Sequence, residues 1–271
     1  MPSVRNVYFH RIGSASNTAN TELQSMQHGT SACTHLEMRD CMFNDMDIRH
    51  LLSVPKRLRT FIYHIGWYKV SNCKISIEAI HEGLNHHKDS LEHVWLDSVS
   101  NLLTYFNTGY FTTIPVRMFR EFPKLKTLRI QIGFFIGNEH NTEDRTPESR
   151  TRRLADVLPP SLEMLHIMDI EHREMAYVTL EHLIMEKDVR FPELKEVKLS
   201  TEESRQDWER LIGIEQLAKD NDVQFTVLDD PRLGKLEERK WGMDENIEWL
   251  PCGSGANIRP MERVVDLARV R

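Results

Sequence analysis

One six-residue pattern recurs along this chain, and it limits the possible folds more than any other feature. The pattern is apolar-x-x-apolar-x-apolar. Its copies are Val4, Val7 and Phe9; Cys33, Leu36 and Met38; Leu58, Phe61 and Tyr63; and Leu91, Val94 and Leu96. They continue as Leu125, Leu128 and Ile130; Leu162, Leu165 and Ile167; and Leu194, Val197 and Leu199. A weaker eighth copy at Val223, Phe225 and Val227 lacks the first apolar position. First positions fall at residues 4, 33, 58, 91, 125, 162 and 194, so neighbouring copies lie 25 to 37 residues apart. The motif is more regular than its spacing. That combination implies a constant short strand joined by connectors of variable length.

In a strand, successive side chains point to opposite faces. The last two apolar positions of each copy therefore enter one core, and the residues on either side of them face the other way. One short strand buries too little to offset its ordering entropy. Stacking it on the equivalent strand of the next repeat pairs the backbone and lengthens the core.

Between the strands the spacing of apolar residues predicts helices. They cover 45–54, 76–86, 115–122, 150–158, 174–186 and 204–218. Pro55, Pro123, Pro160 and Pro192 each stand shortly before a strand. Proline there stops a helix and sets an extended entry. The repeating unit is thus helix, proline-marked turn, strand, loop. An α/β solenoid follows, a curved horseshoe with parallel strands on the concave side and helices on the convex side. The rival fold is a layered α/β sheet, whose strands are buried on both faces and read as apolar throughout. Here the alternate positions carry Tyr8, Glu37, Trp95, Arg129, His166 and Lys198, which favours the solenoid.

The motif resembles the core of leucine-rich repeats. Residues 33–43 form the closest copy, with Cys41 where that family often has Asn or Cys. The other copies carry Gly66, Val99, Gly133, Ile170 and Glu202 there, which argues against subtypes with an asparagine ladder. The irregular spacing and the phrases FPKLKTLRI, PPSLEMLHI and FPELKEVKL make the region similar to the repeats of fungal F-box proteins. The resemblance implies a substrate-recognition role in a cullin-type ubiquitin ligase, in which an N-terminal F-box docks on a Skp-type adaptor and the repeats hold the substrate. Residues 1–35 already contain the first strand and leave no room for an F-box. The expectation is a product truncated at its N-terminus or a repeat-only scaffold, with a Skp-type partner only if an F-box lies upstream. The repeat domain is expected to occupy 1–230, with seven to eight repeats, and 231–271 to form a cap and a partly disordered tail.

Composition removes several functions. Hydrophobic residues make up 40% and charged residues 28%, as in a folded chain. The formal net charge is −6 and the pI about 6.1, so the basic excess of a non-specific nucleic-acid or anionic-membrane binder is missing. No stretch has the length of a membrane span or the apolar run of a signal peptide. Four scattered cysteines without a C-x-x-C pair suit a reducing compartment, cytosol or nucleus. His81, His86 and His87, with Glu78 and Glu82, do not share the i, i+4 spacing that would bring ligands together on a helix, so no metal is expected. No nucleophile elbow, P-loop or dinucleotide motif occurs, and neither a cofactor nor an enzyme is expected. A histidine-using hydrolase is the remote alternative, set against an open strip of residues that does not exclude water.

A protein partner is therefore expected on the strand positions that face away from the core. Trp, Tyr and Arg anchor interfaces most often. The candidate binding residues are Tyr8, Arg39, His64, His93, Trp95, Arg129, His166, Met168 and Lys198, with the hot spot at His93, Trp95, Arg129, His166 and Met168. The contrasting reading is that they are only exposed residues of a scaffold.

Overall fold

The computed structural model describes residues 4–14, 20–66, 76–98, 118–132, 134, 156–168, 173–201, 207–229 and 263–264. The strands are β1 (Asn6–His10), β2 (His35–Cys41), β3 (Thr60–Ile65), β4 (His93–Ser98), β5 (Thr127–Gln131), β6 (Met164–Met168), β7 (Glu196–Thr201), β8 (Gln224–Asp229) and β9 (Arg263–Val264). The described helices are α1 (Thr21–Gln24), α2 (Asp45–Ser53), α3 (Ile77–Asn85), α4 (Arg173–Met185), α5 (Lys187–Arg190) and α6 (Trp208–Asp220).

All nine described strands form one open sheet in the order of the chain, from β1 to β9. The first eight are parallel, and β9 closes the series antiparallel to β8. A doubly wound sheet would reverse its strand order at a switch point; this one does not. The fold is the expected α/β repeat solenoid. Register follows the motif: Leu36 lies beside Phe61, Phe61 beside Val94, Val94 beside Leu128, Leu128 beside Leu165 and Leu165 beside Val197.

These positions and their motif partners fill the core. From β2 to β7, all three apolar positions of every copy are at most 2% exposed. The eighth copy pairs in register, and its missing first position falls on Asp222, whose φ is +53°. One backbone carbonyl per repeat repeats the same bond pattern. The carbonyl of the residue just before a strand accepts two N–H groups from the next repeat, as in Arg59 O from Glu92 N and His93 N, and Glu92 O from Lys126 N and Thr127 N. Arg5, Thr34, Lys126 and Glu163 play the same part. The peptide groups at the strand entries are thereby satisfied from repeat to repeat.

The proline signals also have a local cause. Phe122, Pro159 and Phe191 each accept a hydrogen bond from the N–H three residues on, at Leu125, Leu162 and Leu194. Pro123, Pro160 and Pro192 take the second place of these turns, where their fixed φ suits. Helices start on side-chain caps: Asn44 for α2, Ser76 for α3 and Asp207 for α6. The apolar faces of these helices and of α4, including Ile48, Leu52, Ile80, Leu84, Leu180, Leu211 and Ile214, join the same core as the strands. Gly83 lets α3 approach α2, since a Cβ there would lie 2.6 Å from Leu52 Cδ1.

Some expected helices fall differently. Within 115–122, residues 118–121 form a turn and 115–117 lie outside the described residues. Of 150–158, only 156–158 are described; 156 and 157 are helical and 158 is a bend. The tail from 231 lies outside the described residues apart from β9, which pairs with the edge of β8.

Candidate binding surface

Register places the outward residues of successive strands side by side. The central row runs Tyr8, Glu37, Ile62, Trp95, Arg129, His166, Lys198 and Thr226. The row at the strand entries runs Asn6, His35, Thr60, His93, Thr127, Met164, Glu196 and Gln224. Beyond the central row lie the pairs His10 with Arg39 and His64 with Asp97, and the run Gln131, Met168 and Ser200.

The row converges on Trp95. The Arg39 guanidinium carbon sits 4.1 Å from the Trp95 ring centroid, and that of Arg129 sits 4.0 Å from it. Arg129 comes from the next strand, whereas Arg39 spans from β2 across β3 to reach β4. Cation–π attraction of this kind strengthens as the pair leaves water. Arg39 is fixed from behind: its Nε donates to Glu37 Oε1 at 2.6 Å, and the other Glu37 oxygen meets His35 Nε2 at 3.3 Å. Burial alone would push the Glu37 carboxyl up, but the His35 and Arg39 hydrogen bonds and the Arg39 charge outweigh it and hold the group below the ordinary carboxylate range. The Tyr8 ring lies 5.3 Å from that of His35, which extends the contact to β1.

On the other side, Arg129 Nε donates to Met168 Sδ at 3.2 Å. His166 Nε2 meets Ser200 Oγ at 2.6 Å, and Lys198 Nζ pairs with Glu196 at 3.0 Å. The Trp95 indole nitrogen is buried and has no hydrogen-bond partner. An orphaned donor of this kind costs about 1–3 kcal/mol.

Burial divides the nine candidates. Tyr8 and His93 are exposed, and Arg39, His64, Trp95 and Lys198 are half-buried. Arg129, His166 and Met168 are buried, at 8%, 3% and 2%. Arg39, Trp95, Arg129 and Met168 form one chain of contacts, with His93 two residues from Trp95 on the same strand. His64 is occupied elsewhere, its Nδ1 accepting the Asp40 N–H at a bulge in β2. Glu37, which positions Arg39, and Ser200, which holds His166, are further members of the face. Alternation within a strand carried that signal, since Glu37 and Arg39 are two apart and share a side.

The sheet, its sequential order and its outward row agree with a comparison of the sequence with known families, in which the leucine-rich repeat domain matches residues 1–223. The chain belongs to the leucine-rich-repeat family. No curated protein matches it, and no solved structure does. Leucine-rich repeats are typically protein-interaction modules without catalytic activity. Among the described residues, no three His, Cys, Asp or Glu side chains converge as a metal site would need. The histidines in and just after α3 lie in different surroundings: His81 is half-buried, His86 is exposed, and His87 is buried in a joint between repeats. No described helix is long and apolar enough to cross a membrane.

Proposed function

We propose that these leucine-rich repeats hold a protein partner on the concave sheet face, centred on Arg39, Trp95 and Arg129 with Tyr8, His64, His93, His166, Met168 and Lys198 around them. The observation that supports this is the Arg39–Trp95–Arg129 stack, which fixes three anchor-type side chains from β2, β4 and β5. Rigid aromatic and arginine groups lose little entropy on binding and dominate interface energetics. A photo-crosslinking residue at His93 or Tyr8 is expected to capture the native partner, whereas one at Met46 or Val189, exposed on helices, is not. Equal capture from helix and sheet positions would contradict the reading.

The finer reading is the substrate-holding part of an F-box subunit, acting in the cytosol or nucleus. It draws support from the repeat phrases around Leu125, Leu162 and Leu194. If it holds, complexes captured through His93 from native cells contain a cullin subunit. Capture of a partner without any cullin would leave a free-standing adaptor. Residues 231–271 are read as a cap for the last repeat, with the β9 pairing in support.

A further inference from the structure

Two histidines join the repeats around β3 through ring-nitrogen lone pairs. His64, on β3, accepts the Asp40 N–H of β2 at Nδ1, at 3.3 Å. His87, just past α3, accepts the Leu58 N–H at Nδ1, at 3.3 Å, in the turn that leads into β3. Its Nε2–H donates to Leu52 O in α2 at 2.6 Å. Ser90 Oγ completes this joint by donating to Leu58 O. Both acceptor bonds require a neutral imidazole, because a protonated ring has no lone pair to offer.

We propose that the repeat built on β3 is an acid-released joint: protonation of His87 frees it from its neighbours while the repeats from β5 onward stay folded. The surroundings agree. His87 is buried, and the charged side chains in the adjoining chain, Lys56, Arg57, His86, Lys88 and Asp89, are exposed and can give little compensation to an imidazolium. His64 faces Asp97 across the strand pair and the bulge at Asp40, whose carboxylate is taken by Arg11 at 3.1 Å. Arg39 precedes that bulge. Burial, followed by the His86 charge, holds His87 below its ordinary value of 6.5, against the pull of the Leu52 carbonyl. With the folded His87 value depressed, the unfolded chain binds more protons. The joint therefore weakens as pH falls through about 6.5 toward the folded value.

The later repeats are joined differently. Arg210 forms a two-pronged pair with Glu181 between α6 and α4, at 2.8 and 2.9 Å. Carboxylates titrate near 4. His166 bonds Ser200 Oγ, a hydroxyl that can donate to a ring nitrogen lone pair or turn to accept from a ring N–H. Nearest-neighbour coupling in a repeat stack permits one joint to open without the rest. Arg39 and Trp95 stand on the strands either side of β3, so an open joint also breaks their contact. Release of a partner by acid rests on the binding reading above; the joint itself does not.

Hydrogen exchange of the whole chain tests the joint, compared at pH 7.5 and 5.5 after correction for intrinsic rates. Amides within 34–66 and 76–98 are expected to lose protection severalfold. Amides within 164–201 and 207–229 are expected to change far less. No loss, or an equal loss along the chain, overturns the proposal. In His87→Gln, which has no titrating group, the loss should shrink; a full-sized loss in a folded variant removes His87 from the joint. If that variant does not fold, the wild-type profile decides.

Discussion

Asp47 is fully buried, and it is held by donors from three separate places. Ser14 Oγ, the Asn20 N–H and Asn44 Nδ2 all reach its carboxylate, at 2.5, 2.8 and 3.1 Å. Asp47→Ala strands those donors and is expected to cost about 2–4 kcal/mol in urea unfolding. Tyr63 does similar work with a neutral group, accepting the Phe43 N–H at 3.2 Å. Tyr63→Phe is expected to cost about 1–3 kcal/mol by the same measurement, since it deprives a buried N–H of this acceptor. Which side of the sheet each residue takes was legible in the sequence, because alternation decides it. Solvent access was not. Arg129 is buried in contact with Met168 and with Trp95, and Arg39 meets Trp95 across an intervening strand. Contacts made by the reach of a long side chain leave no periodic trace.

At the scale of elements, α2 and α3 pack closely because Gly83 carries no side chain. In an exposed helix, Gly→Ala stabilises by roughly 1 kcal/mol. At Gly83 the new methyl would overlap Leu52, whose Cβ is 2.8 Å from the Cβ position, so Gly83→Ala is expected to destabilise by about 1–3 kcal/mol. Thermal unfolding of the variant checks the sign. All eight parallel strands were legible from the motif, and four long helices from their apolar spacing. The short helices α1 and α5 were not, because single turns carry too few residues for a period to show. Nor was the β2 bulge, where Asp40 adopts a φ of +51° and Gly66 lies against it with no room for a Cβ. Nothing in the local sequence of β2 marks that extra residue.

Across the whole molecule the two ends of the sheet differ. β8 has a partner in β9, whereas β1 pairs only with β2 among the described residues. Val7 and Phe9 accordingly stay partly exposed where their counterparts in β2 to β7 are buried, and Val4 is 61% exposed. Ending the chain after residue 230 removes β9 and bares a strand edge, a template for pairing with other copies. Light scattering is expected to show concentration-dependent association of that truncated form. The antiparallel pairing of β9 was not legible in the sequence, since two residues carry no strand signal.

The order of the strands underlies the fold, the outward row and the joint alike. Spin labels at Asn6 paired in turn with Thr127, Met164, Glu196 and Gln224 measure it directly, all four lying in the row that contains Asn6. The account expects distances that start near 20 Å and increase with each strand by roughly 5 Å, the spacing of paired strands, slightly less where the sheet curves. A pair out of that sequence, such as Gln224 closer to Asn6 than Thr127 is, would contradict a sheet built in chain order.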